Sequence, residues 1–306
     1  MRYGISTHLY YGQALGPAHL AELAGFGFQD LELFATRGHF EYARQEAIAA
    51  LAGWLGDSGL RLRSVHAPLV DRIENGDWGR LLSTAAKSEE ARREAVAECL
   101  ASLEIARTIP FEFLVVHLGV PDALAENGDE NEPASARRSL EEIAGAASAL
   151  GVRVAVEVVP NALSTPEALV QLLGEQDGDR PGPAAGICLD MGHAALMGDV
   201  ADAIDVVSGD LLTTHVHDNR GRWDDHLVPF EGTIDWATTL MSLQKVGYDG
   251  ALVFELAGTD TPRESLEKTR AVRERFESLL ALPFDSRASS ARPGHPEQGR
   301  GVSLEP

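Results

Sequence analysis

Arg153-Val-Ala-Val-Glu-Val-Val159, then Thr165-Pro-Glu-Ala-Leu-Val-Gln-Leu-Leu173, then Ala185-Gly-Ile-Cys-Leu-Asp190 read together as one strand–helix–strand unit. The outer runs are short and apolar, as expected of parallel strands buried on both faces. Thr165 reads as an N-cap and Pro166 as the first helical residue, where a missing N–H loses no hydrogen bond. Each strand carries a carboxylate towards its C-terminal end, Glu157 and Asp190.

The same alternation extends in both directions. Further strands are predicted at Arg2–His8, Gln29–Phe34, Arg61–His66, Glu112–His117, Leu211–His217 and Ala251–Glu255. Helical patterns fill the gaps at Pro17–Gly25, Glu41–Leu55, Ser88–Arg107, Ala136–Leu150, Val200–Val207, Ile234–Val246 and Thr261–Leu280. Thr233 reads as another N-cap, and Gly25, Gly59, Gly151 and Gly247 stand where left-handed C-caps are needed. Eight β units alternating with eight α units predict a single α/β domain, a (β/α)8 TIM barrel over residues 1–284. An open doubly wound sheet would call for a Gly-rich phosphate loop after the first strand, and none is present. Two segments stand outside the alternation: an acidic loop, Val120–Pro133, and residues 285–306, whose Ser, Arg, Pro, Gly and Glu predict a disordered tail.

Bulk properties narrow the function. Of 306 residues, 44% are hydrophobic, enough for one sizeable core. No apolar run reaches membrane-spanning length, no signal peptide is seen, and Cys99 and Cys188 read as two buried free thiols. A cytoplasmic enzyme fits these features. The net charge of −21 makes nucleic acid an unfavourable partner. The three lysines, Lys87, Lys245 and Lys268, fall outside the predicted rim loops, leaving Arg37, Arg72, Arg220 and Arg222 as a modest basic footprint.

The polar residues are placed unevenly. Of ten histidines, His8, His66, His117, His193, His215, His217 and His226 lie at or just beyond strand C-termini, and His19, His39 and His295 do not. Glu32, Glu157, Asp190 and Glu255 lie in or at the ends of strands. In a barrel those ends converge on the active-site face. A single buried His is more often a hydrogen-bonded core residue than a ligand, but so many imidazoles and carboxylates on one rim are costly to desolvate unless a cation binds them. Glu157, Asp190, His215 and Glu255 form a hard, oxygen-rich set suited to Mn2+, Mg2+ or Co2+. His66 and His117, bridged by Glu157, form a nitrogen-richer set nearer to zinc preference. His193, Asp224 and His226 form a third, so one to three ions are expected.

Seven stretches in this order resemble the xylose-isomerase-like TIM barrels, over roughly residues 1–280: Val65-His-Ala-Pro68, Val116-His-Leu-Gly119, Val156-Glu-Val-Val-Pro-Asn161, Leu189-Asp-Met-Gly-His193, His215-Val-His-Asp-Asn219, Trp223-Asp-Asp-His-Leu227 and Val253-Phe-Glu-Leu256. The resemblance implies that Glu157, Asp190, His215 and Glu255 hold a divalent ion, often Mn2+. It also implies that Glu157 and Glu255 are acid/base groups on opposite faces of a sugar and that His193 contacts substrate. All nine ligands of the three-metal site of the related endonuclease IV have counterparts here, namely His66, His117, Glu157, Asp190, His193, His215, Asp224, His226 and Glu255. The family's isomerases often carry Lys where this chain has His217, which leaves His217 as a substrate contact or as a hydrogen-bonding partner of a ligand carboxylate.

The first function expected is isomerisation or epimerisation of a sugar or sugar phosphate, in carbohydrate metabolism, by proton abstraction through an enediolate. His8, Glu32, His217 and Trp223 are candidate substrate contacts, and Phe34 and Tyr10 could join Trp223 in an apolar wall. Alternatives are a multi-zinc phosphodiesterase, a dehydratase or lyase beginning with the same proton abstraction, and a non-catalytic metal binder. The expected partner is a small carbohydrate, without membrane. Homo-oligomerisation is left open.

Overall fold

A computed structural model describes residues 1–125, 129–174, 185–257 and 260–281. The expected tail, 285–306, lies outside the described residues, as do 126–128 of the acidic loop. The chain runs β1 (Arg2–Ser6), α1 (Pro17–Gly25), β2 (Asp30–Phe34), α2 (Gln45–Ser58), β3 (Arg61–His66), β4 (Ile73–Glu74), β5 (Asp77–Trp78), α3 (Glu89–Leu103), β6 (Phe113–Val116) and α4 (Pro133–Ala149). It continues with β7 (Arg153–Glu157), α5 (Pro166–Gly174), β8 (Ala185–Asp190), α6 (Met191–Met197), α7 (Val200–Val207), β9 (Leu211–Val216), α8 (Trp236–Lys245), β10 (Ala251–Phe254) and α9 (Pro262–Leu280).

Eight parallel strands close into a barrel in the order β1-β10-β9-β8-β7-β6-β3-β2, while β4 and β5 form a separate hairpin. The period-two alternation of a strand positions the site. Val154 and Val156 face outward into the core shared with the helices, whereas Ala155 packs with Phe113, Val115 and Cys188 inside the barrel. One step further along the same inward face come Glu157 after Ala155, His117 after Val115 and Asp190 after Cys188. The apolar filling thus gives way to ligand-type side chains at the C-terminal mouth.

Several local expectations change. Asp235, not Thr233, caps α8, accepting from Ala237 N and Thr238 N, each at 3.1 Å. The Thr233 hydroxyl donates instead to the Asn219 carbonyl at 3.1 Å. After α1 the left-handed residue is Gly27 (φ 83°), not Gly25, because the chain continues through Phe26 before reversing. Helix α2 begins four residues later than the pattern at Glu41 indicates. Hairpin β4–β5 and helix α6 were not anticipated. Among the described residues, no helix is long and apolar enough to cross a membrane.

Candidate metal centre and substrate cavity

Glu157, at the end of β7, is the hub of the mouth. Its Oε2 lies 3.2 Å from His66 Nε2, 3.2 Å from His117 Nε2 and 3.4 Å from His215 Nδ1, and its Oε1 lies 3.2 Å from His193 Nδ1. His215 Nδ1 also faces Asp190 Oδ2 at 3.6 Å and Glu255 Oε2 at 3.4 Å. Glu157, Asp190, His215 and Glu255 each offer one ligand atom within 4.8 Å of the others, and so do His66, His117 and Glu157. A third such group joins His217, Asp224 and His226, with His193 Nε2 at 3.1 Å from Asp224 Oδ2. The nine residues expected as ligands therefore converge, and His217 joins them.

Hydrogen bonding shows which atoms face inward. His66 Nδ1 is 2.8 Å from the Ala67 carbonyl, His193 Nδ1 is 3.0 Å from that of Val158 and His226 Nδ1 is 3.0 Å from that of Glu255. A carbonyl only accepts, so each Nδ1 carries the proton and donates. In the neutral ring, Nε2 then presents a lone pair to a carboxylate, Glu157 for His66 and Asp224 for His193 and His226. His215 is turned the other way, with Nε2 3.0 Å from Glu32 Oε1 and Nδ1 facing the three carboxylates. Lone pair against carboxylate is repulsive unless a proton or a cation lies between them. Glu157 Oε1, His117 Nε2 and His215 Nδ1 are moreover buried without a hydrogen-bond partner of good geometry. This donor set fits a divalent cation, with each ring oriented by the outward hydrogen bond that metal-binding histidines make.

Protons take the cation's place electrostatically. Burial disfavours the imidazolium of His226, but Asp224 outweighs it and lifts His226 to about 10. His193 and His215 are raised well above their ordinary value, burial again opposing and the carboxylates prevailing. Burial raises the Glu157 carboxyl, yet His117 and His215 hold it well below the usual carboxylate range. His8 is the reverse case, since burial, His226 and His66 together push it well below an ordinary imidazole.

Backbone choices hold the cluster in place. Asp190 caps α6 by accepting from His193 N at 2.6 Å, and its other oxygen meets His217 Nε2 at 3.0 Å. A Cβ at Gly192 would collide with the His217 ring, so glycine is required there. The loop bearing Asp224 and His226 hangs on buried Asp218, which accepts from Phe230 N at 2.9 Å, Ile234 N at 3.2 Å and Trp236 Nε1 at 2.8 Å. His226 itself is left-handed at φ 47°, a conformation non-glycine residues adopt at a cost.

The expected substrate contacts divide. His8 lines the cavity above the cluster, stacked on Tyr11 with ring centroids 5.4 Å apart. Glu32 is fully buried behind His215, with Nε2 of that ring 3.0 Å from its Oε1, takes a 2.8 Å hydrogen bond from Ser64 Oγ and does not line the cavity. His217 is buried against Asp190 and stacks on His226 at 4.1 Å. Trp223 is 70% exposed and Tyr10 points away, donating to Glu22 at 2.9 Å. Neither lines the cavity, whose aromatic wall is Phe34, Tyr11 and Trp78. Trp78 sits on a hairpin too short to have a periodic signal. The lysine expectation also changes, since Lys87 lines the outer cavity, 3.2 Å from Asp129, and Lys268 borders a polar pocket beside Arg220 and His226.

The family model of the xylose isomerase-like TIM barrel matches residues 20–279. An uncharacterised protein of Methanocaldococcus jannaschii is 27% identical over 263 residues, 83% of each chain. A solved D-tagatose 3-epimerase-like protein superposes with a TM-score of 0.74 at 24% identity, covering 92% of this chain and 98% of its own. The IOLI protein, solved with a bound zinc atom, gives 0.73 at 17% identity, covering 92% of this chain and 100% of its own.

Proposed function

We infer that this chain, which belongs to the xylose isomerase-like TIM-barrel family, is a divalent-metal-dependent isomerase or epimerase of a sugar substrate. The observation that carries the reading is the pair Glu157 and Glu255, which share with Asp190 and His215 a set of ligand atoms within 4.8 Å of one another at the floor of a cavity. A divalent ion held by these four would act as a Lewis acid on adjacent carbonyl and hydroxyl oxygens and acidify the carbon-bound proton between them. Glu157, kept ionised by its imidazole neighbours, is placed to take that proton. Glu255 is the partner for return of a proton on the other face. His193, its Nε2 beside Asp224, faces the cavity and would contact the substrate. The resemblance to a D-tagatose 3-epimerase-like protein supports the sugar chemistry.

The test is product analysis by NMR after incubating Mn2+-reconstituted protein with a panel of ketoses and keto-sugars. A new epimer or isomer that disappears on chelation is expected. No product and no solvent-proton exchange from any sugar would refute the reading, and product lacking water or a fragment would move it to a lyase.

One observation favours a second reading, a multi-metal phosphodiesterase: the complete additional sets around His66 and His117 and around Asp224. Electrostatics oppose it. Arg37 is bound at 3.0 Å by Glu98, and Asp129 and Glu130 line the outer cavity. Chelator-sensitive nicking of an abasic oligonucleotide would favour it.

A further inference from the structure

The cavity over the metal-ligand cluster has two parts of very different size. The inner part, about 90 Å3, is lined by His66, His117, Glu157, His193 and Glu255. It leads into an outer chamber of about 1070 Å3, and His8, Trp78, Asp224 and His226 line both. Pockets of about 300–1,000 Å3 hold drug-sized ligands. A monosaccharide whose reacting carbons occupy the inner part leaves most of the outer chamber to water.

The chemistry of the outer wall is specific. Trp78 (41% exposed) and Leu124 (50%) are among the few large apolar side chains left open to solvent in the described residues, and both border this chamber. Tyr11, Leu81 and Ala257 continue the apolar surface. The ring of Trp78 lies with those of His8, Tyr11 and Phe34 at centroid distances of 6.0–6.3 Å, an aromatic platform beside the inner part. The chamber's lysine and arginine are already paired, Lys87 with Asp129 at 3.2 Å and Arg80 with Glu94 at 2.5 Å, while Glu130 adds negative charge to its lining. An anionic group would meet neutralised cations and the unpaired oxygen of Glu130.

We propose that the substrate is a keto-sugar whose anomeric oxygen carries a second, uncharged and flat apolar group, an aryl-type glycoside with a ring ketone, so that its carbonyl and neighbouring hydroxyl lie at the ligand cluster and its aglycone against Trp78 and Leu124. This rests on the sugar-isomerase reading for the sugar end only. The wall's own chemistry selects the other end and disfavours both free monosaccharides and sugar phosphates.

The test is calorimetric binding to the full-length, Mn2+-loaded protein. Methyl and p-nitrophenyl glycosides of the same sugars (gluco, galacto, manno and xylo, both anomers), each with a ring ketone, are compared with hexose 6-phosphates. For at least one sugar the aryl glycoside binds tenfold or more tighter than the methyl glycoside and the phosphate, and Trp78→Ala and Leu124→Ser each remove most of that advantage. Methyl and aryl glycosides binding equally throughout, phosphates binding best, or an aryl preference untouched by both substitutions would each overturn the proposal. Binding is scored apart from turnover. Exchange on free ketoses without aryl preference would sink this inference and leave the sugar-isomerase reading, whereas aryl preference with no exchange on any sugar would do the opposite.

Discussion

Replacing Glu32 by Gln probes how the buried scaffold supports the candidate metal centre while leaving every proposed ligand in place. Glu32 accepts from Ser64 Oγ at 2.8 Å and faces His215 Nε2 at 3.0 Å. That contact places the Nε2 proton outward and leaves Nδ1 to face Glu157, Asp190 and Glu255 at 3.4–3.6 Å. Glutamine keeps the volume but offers a single accepting oxygen and no charge, so His215 becomes a less basic and less firmly oriented donor. Loss of such a support weakens metal binding by about 10–100-fold, or about 1.4–2.7 kcal/mol. Competition titration of Mn2+ against a chromophoric chelator measures it, with circular dichroism confirming that the variant is folded at the assay temperature. A folded Glu32→Gln protein with affinity within about twofold of the parent would refute the reasoning.

Further outcomes follow from the same geometry. Gly192→Ala forces a Cβ into the His217 ring, and overpacking of this kind costs about 1–3 kcal/mol, read as a lower denaturation midpoint. Asp218→Asn sets an amide N–H against either Ile234 N or the pair Phe230 N and Trp236 Nε1, which share one oxygen, and a lower melting temperature with weaker retention of metal is expected, as measured by elemental analysis. Because His215 and His193 hold protons strongly when no cation is bound, metal uptake must release protons, and affinity rises with pH. Calorimetry in buffers of different ionisation enthalpy reads that release directly. Buried His39, between Thr7 Oγ1 and the Gln13 carbonyl, is depressed to about 4. The unfolded chain binds its proton below the ordinary imidazole value of 6.5 and the folded chain refuses it until about 4, so this stabilisation is complete above 6.5 and is lost as pH falls towards 4. The loss reaches about 3 kcal/mol, and His39→Gln should flatten the stability profile in that window.

The barrel was legible because its strands are buried on both faces and read as apolar runs. Arg61–His66 and Ala185–Asp190 match to the residue. Elsewhere the patterns run one or two residues too far, as at Arg153–Val159, where the chain leaves the ladder at Glu157. Those overruns mark where strand ends become site. The ligand-type residues were legible for the same reason, since the inward alternation aims them at one mouth. What could not be read is set by long-range packing. Nothing near Trp78 tells that a two-residue strand folds it over His8, and nothing near Trp223 tells that its loop leaves it in solvent. Helix α6 has too few turns for periodicity, and its start depends on the cap from Asp190. For Glu32, one sequence shows that a carboxylate points inward but not that it lies against the far side of the His215 ring.

Solvent-deuterium incorporation into the sugar, with each glutamate removed in turn, tests the central claim most directly. The metal-loaded protein should place deuterium on the carbon beside the carbonyl, and Glu157→Gln and Glu255→Gln should each abolish turnover while remaining folded. Exchange persisting in both variants, or absent from the metal-loaded parent with every sugar tried, would contradict proton abstraction by this pair.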